Sequence, residues 1–142
     1  MSECDVLVRC YGEKHLLFLN YIHLIGRINM QFLALIYAGE EQDDVDLETL
    51  IAQYQAFDEQ AEKAGILLGG NALEAVSTAT SVRVRNSKSE LTDGPFAETK
   101  EQLGGYYLFE CKNLDEALEW AAKIPSARYG TIEVRPVMVF DQ

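Results

Sequence analysis

The chain of 142 residues predicts an α+β fold of the ferredoxin-like kind, β-α-β-β-α-β with an inserted hairpin. Three observations carry this reading. Two stretches repeat apolar residues at helical steps. Apolar or alternating stretches between glycines and prolines read as strands. Their order along the chain is β-α-β, a hairpin, then β-α-β. With 48% hydrophobic and 25% charged residues, a packed core is expected rather than general disorder.

Gln31–Tyr37 is a short apolar run of strand length, followed by Gly39. The acidic stretch Glu40–Asp44 reads as a solvated loop. Asp46 is placed to cap a helix with Glu48 in its first turn. Leu47, Leu50, Ile51, Tyr54, Phe57, Ala61 and Ala64 recur at steps of three and four, predicting one buried stripe that ends at Gly65. Ile66–Leu68 reads as a second strand closed by Gly69-Gly70. Thr80–Arg85 alternates, with Val82 and Val84 on one face and Ser81, Arg83 and Arg85 on the other. Asn86–Ser89 reads as the turn of a hairpin into Leu91-Thr92. Gly104-Gly105 opens the strand Tyr106–Cys111. Asn113 caps a second helix with buried Leu114, Ala117, Leu118 and Ala121, Lys123 at its negative end and Pro125 stopping it. Thr131–Arg135 alternates as the last strand, continued by Val137, Val139 and Phe140.

Both helices are expected on one face of an antiparallel sheet. Tyr106, Phe32, Val137 and their neighbours are too apolar for both faces of the sheet to meet water. A second copy, laid face to face, is the economical cover, since burying apolar surface is worth roughly 25 cal/mol per Å².

Charge limits the partners. The 12 Lys and Arg against 23 Asp and Glu give a net −11, which argues against nucleic acid or an anionic membrane. Residues 1–29 stand apart, with Arg9, Lys14 and Arg27 balancing Glu3, Asp5 and Glu13. Their apolar run, Leu16–Ile25, is interrupted by Asn20 and His23 and is about half the roughly 20 residues of a membrane helix. Residues 1–29 are therefore expected to be an appendage to a domain over 30–142, with Met30 a candidate natural start. The 3 Cys are too odd a count for a full disulfide framework and form no C-x-x-C pair, so a reduced cytoplasmic setting and no metal site are expected.

Leu91-Thr-Asp-Gly-Pro-Phe-Ala-Glu-Thr-Lys-Glu-Gln-Leu-Gly-Gly105 closely resembles the YCII-related family in its DGPF-domain branch. The resemblance extends through Met30–Tyr37, Tyr54–Phe57, Gly65–Gly70, Asn113–Ala122, Ile124-Pro125 and Thr131–Pro136, leaving 1–29 unmatched. It implies the dimeric α+β barrel. It implies no single reaction: one branch relative resembles a lyase that removes chloride from a chlorinated aromatic intermediate, and others are encoded beside or fused to sigma factors. The wider family carries a histidine in its first helix, proposed to act with an aspartate. Here the equivalent place falls near Tyr54, while His15 and His23 lie in the unmatched segment.

Asp93 is the leading catalytic candidate, because Pro95 restricts Gly94 and so holds the carboxylate at a strand end. The alternative is an Asx-turn bonded to its own backbone. Glu98 is a candidate partner for Asp93, and Lys100 a candidate anion holder; Glu101 reads as solvated. Arg83 and Arg85, at i and i+2, are placed to grip a carboxylate or phosphate, or else to pair with Asp93 or Glu98. Tyr54 offers a phenol, or is a core tyrosine. Trp120 reads as a packing or contact residue and Cys111 as a buried, inert thiol. The glycine pairs lack phosphate-loop spacing and read as strand-end bends.

The resulting expectation is a pocket between sheet and helices, lined by Arg83, Asp93, Glu98, Lys100 and Tyr54. It takes a small polar or anionic organic molecule and supports a cofactor-free lyase or isomerase step. The alternative is a non-catalytic regulatory module with a sigma-factor partner.

Overall fold

The computed structural model describes residues 29–39 and 45–140; nearly all of the expected appendage lies outside them. Strands β1 (Met30–Ala38), β2 (Leu67–Ala72), β5 (Gln102–Cys111) and β6 (Thr131–Pro136) form one sheet in the order β2-β5-β1-β6. All three pairings are antiparallel. Helices α1 (Leu47–Lys63) and α2 (Leu114–Ala121) supply the buried residues Phe57, Ala61, Ala117 and Ala121 that pack with the sheet. Strands β3 (Thr80–Arg85) and β4 (Lys88–Asp93) form a separate two-stranded arm between β2 and β5. This is the ferredoxin-like arrangement with its inserted hairpin.

Alternation decides the faces. Phe32, Ala34 and Ile36 of β1 and Tyr107, Phe109 and Cys111 of β5 are buried against the helices. The intervening Leu33, Leu35, Tyr37, Tyr106 and Leu108 lie on the opposite face and keep partial access to solvent. Both helices are capped as their sequences imply. Asp46 accepts from the Thr49 amide at 2.9 Å, and Asn113 accepts from the Glu116 amide at 2.9 Å. Glu116 reaches back to the Lys112 amide at 2.7 Å, which satisfies a second free donor. Among the described residues, no helix is long and apolar enough to cross a membrane.

Several elements differ from their sequence pattern. The α1 stripe is buried only at Phe57 and Ala61; Leu47, Ile51 and Ala64 are exposed. In α2 only Ala117 and Ala121 are buried, while Leu114 and Leu118 face outward. The alanines allow close approach to the sheet, and the larger leucines flank that contact. Lys123 falls beyond the end of α2, its ammonium 4.0 Å from the Trp120 ring centre. Gly69-Gly70 and Gly104-Gly105 lie inside β2 and β5 instead of ending them. They lie at or beside two register shifts, where an irregular strand favours a missing side chain. The arm turns on Asn86-Ser87 alone, both at positive φ, as a tight two-residue hairpin requires. The last strand stops at Pro136, and Met138, Val139 and Phe140 extend from it exposed.

Phe109 is fully buried, and Phe109→Ala is expected to cost about 3–5 kcal/mol of stability. Removing the α2 cap with Asn113→Ala is expected to cost about 1 kcal/mol. Urea unfolding followed by circular dichroism checks both, and equal losses would contradict this division between core and cap.

Candidate functional site

Tyr54 and Asp58 stand one turn apart on α1 and therefore share a face. Phe57 lies between them in sequence and is buried. Its ring sits 5.1 Å from Tyr107 and 6.3 Å from both Phe109 and Trp120, centre to centre. This contact fixes how α1 is rolled on the sheet. Tyr107 stacks nearly parallel on Phe109 and donates its hydroxyl to Asp58 Oδ1 at 2.5 Å. Gly70 makes room for that ring, because a Cβ there would collide with it.

A short 3₁₀ turn, Pro125–Arg128, closes the other side. It carries Ser126, the one buried polar residue described. Ser126 Oγ lies 2.5 Å from the Tyr54 hydroxyl and 3.0 Å from that of Tyr129. Three hydroxyls are thus joined in a row. Since each carries one proton, Tyr129 donating to Ser126 and Ser126 to Tyr54 leaves the Tyr54 proton free for a guest.

Tyr54, Asp58, Tyr107 and Ser126 border a cavity of about 490 Å³ between α1 and the sheet, whose lining also includes Ile36 and Leu50. That volume suits a small organic molecule. Among its described lining residues Asp58 is the sole carboxylate, and no Lys, Arg or His is present. Burial raises the Tyr54 phenol above its usual range. Burial, reinforced by the bond to Asp58, raises that of Tyr107 much further. Both therefore stay protonated at neutral pH and act as donors. Cys111 is buried at the end of β5, which pushes its thiol up to about 11 and keeps it unreactive.

The structure does not gather the residues singled out in the sequence. Tyr54 borders this cavity. Glu98 borders a second one, of about 1060 Å³, at the base of the arm. Asp93, Arg83, Arg85 and Lys100 are exposed and border neither. Arg83 stands opposite Glu90 across the arm, and Asp93 opposite Thr80. Arg85 donates to the neighbouring Val84 carbonyl at 2.9 Å. The Asp-Gly-Pro bend instead clasps the arm. Gly94, at φ 96°, donates its amide to the Ala79 carbonyl at 2.6 Å and accepts from Ser81 Oγ at 2.9 Å.

Asp58, Tyr107 and Ser126 border the cavity without having stood out in the sequence. The four-residue step from Tyr54 to Asp58 was a usable signal, as was the alternation of Tyr107 with Phe109 and Cys111. Ser126 carries no such signal, because only tertiary packing brings it to Tyr54.

The raised phenols give a pH prediction. A folded-state pKa above the unfolded value, near 10, means the native state holds its proton more tightly. The stability this confers is complete below pH 10 and is lost as the pH rises above it. Tyr107→Phe is expected to flatten that alkaline loss in denaturation curves measured from pH 8 upward. An unchanged slope would contradict the assignment.

Residues 30–141 match the model of the YCII-related domain. A relative from Rhizobium meliloti (strain 1021), "Uncharacterized protein R00369", is 39% identical over 106 residues, covering 72% of this chain and 81% of that protein. The chain belongs to the YCII-related family.

Proposed function

We propose that the protein binds a small, uncharged organic molecule bearing a carbonyl or hydroxyl oxygen, and transfers a proton on it in a cofactor-free isomerase- or lyase-type step. The supporting observation is the convergence of the hydrogen-bonded Tyr54–Ser126 pair, backed by Tyr129, and the Tyr107–Asp58 pair on one cavity. The lining offers donors and a carboxylate but no described cation, which favours an uncharged guest over an anionic one. Asp58 takes the role of base that the sequence assigned to Asp93.

In this reading, Tyr54 donates to the substrate carbonyl oxygen. Asp58 removes a proton from the adjacent carbon, and the electron pair moves to that oxygen as an enolate. Isomerisation follows if Asp58 returns the proton to another carbon. Elimination follows if the pair collapses to expel a leaving group. Tyr107 holds the carboxylate in place, and its bond to Oδ1 leaves Oδ2 with no partner among the described residues. General base catalysis of this kind contributes typically 10²–10⁴-fold.

The sheet bears on the same function. Leu33, Leu35, Tyr37, Tyr106 and Leu108 form an apolar face away from the helices. We propose that a second copy covers it, giving the dimeric barrel.

Cyclopentanone in D₂O tests the chemistry, with deuterium uptake beside the carbonyl read by NMR. The native protein is expected to accelerate uptake, Asp58→Asn to reduce it about 100-fold, and Asp93→Asn to leave it unchanged. Loss on Asp93→Asn with full rate in Asp58→Asn would contradict the reading. No uptake and no binding by a panel of small ketones, lactones and phenols would favour the interaction-module alternative.

A further inference from the structure

The β3–β4 arm is built like half of a core with the other half missing. Val82 and Val84 share a face with Leu91, as their register requires. These side chains are 63%, 58% and 73% exposed. Nearly every residue of the arm is open to solvent, and its described backbone anchor is the clasp at Gly94. A two-stranded ribbon is marginally stable at best without a surface to lie on. The opposite face carries Arg83, Arg85 and Lys88 with Glu90. Residues 80–93 therefore hold three cations against two anions, in a chain whose net charge is −11.

The complementary surface lies at the arm's own root. The larger cavity, about 1060 Å³, is walled by Leu73, Val76, Phe96 and Leu103. Phe96 is 81% exposed there. The charged residues described in its lining are Glu74 and Glu98, with no cation among them. Ala79 and Ser81 at the start of the arm, and Pro95 just after it, form part of the same rim. A two-fold axis passing beside that rim would bring each arm over the other copy's cavity. This is the self-complementary contact that such symmetry demands.

We propose that the occupant of this cavity is the arm of a second copy. Val82, Val84 and Leu91 lie on the apolar walls. Arg83, Arg85 and Lys88 extend their long stems over the arm's edges to Glu74 and Glu98. The inference rests on the two-copy reading above and adds which segments are exchanged. It gives Arg83, Arg85 and Glu98 a shared role in assembly. It also explains a long Asp-Gly-Pro segment lying outside the smaller cavity: the bend sets the angle at which the arm leaves the domain.

Two full-length variants, Val84→Cys and Val76→Cys, each with Cys4→Ser and Cys10→Ser, test the exchange when refolded together and oxidised mildly. A disulfide-linked pair containing one of each chain is expected. A dimeric mass in solution without that mixed product would overturn the arm exchange and leave the two-copy reading standing. A monomeric mass would overturn both. The charge contacts are checked by sedimentation at low salt. Glu74→Lys with Glu98→Lys is expected to weaken dimerisation at least about tenfold, and adding Arg83→Glu with Arg85→Glu to restore it. Absence of any restoration, in variants whose circular dichroism is native, would likewise overturn the exchange.

Discussion

Phe57 packs where the two helices meet the sheet. Its ring fills the space among Tyr107, Phe109 and Trp120, joining α1, β5 and α2 in one aromatic cluster. Aromatic contacts of this kind are worth about 0.5–1.5 kcal/mol each beyond their buried area. With Phe57 inward, residues three positions back and one forward are carried to one edge of the same face. Tyr54 then meets Ser126, and Asp58 meets Tyr107. The candidate chemistry is thus a consequence of core packing. A helix rolled by one residue would aim Tyr54 and Asp58 elsewhere.

Two regions of unlike character are attached to this core. The smaller cavity is polar at selected points and bordered mostly by regular elements. Such a site holds its groups in fixed relation, which proton transfer requires. The larger cavity and the arm are apolar and edged by charge. They have the composition of an interface, with few internal contacts of their own. The Asp-Gly-Pro bend belongs to the second region through the Gly94 clasp.

The framework was legible in the sequence because local patterns encode it. The steps of three and four around Phe57, the Asp46 and Asn113 caps, and the alternation of Thr80–Arg85 all correspond to observed elements. The patterns misjudged depth. Leu47 and Ile51 repeat correctly, yet their end of α1 is exposed, since periodicity specifies a face and not how far the sheet extends beneath it. The glycine pairs read as strand ends because a pattern cannot distinguish a break from a bulge. The site was less legible still. Charged residues in a rigid turn drew attention to Asp93, Arg83 and Arg85, whereas the grouping at the smaller cavity is made of phenols, a serine and one aspartate. Tyr54 and Ser126 are 72 positions apart and meet only through packing.

A crystal structure of the full chain soaked with a small cyclic ketone would show whether the cavity beside Tyr54 and Asp58 takes an uncharged guest. The ketone is expected between α1 and β5, its oxygen bonded to the Tyr54 hydroxyl and a neighbouring carbon facing Asp58 Oδ2. A ketone seated only beside Phe96, with Tyr54 turned away from Ser126, would contradict that placement.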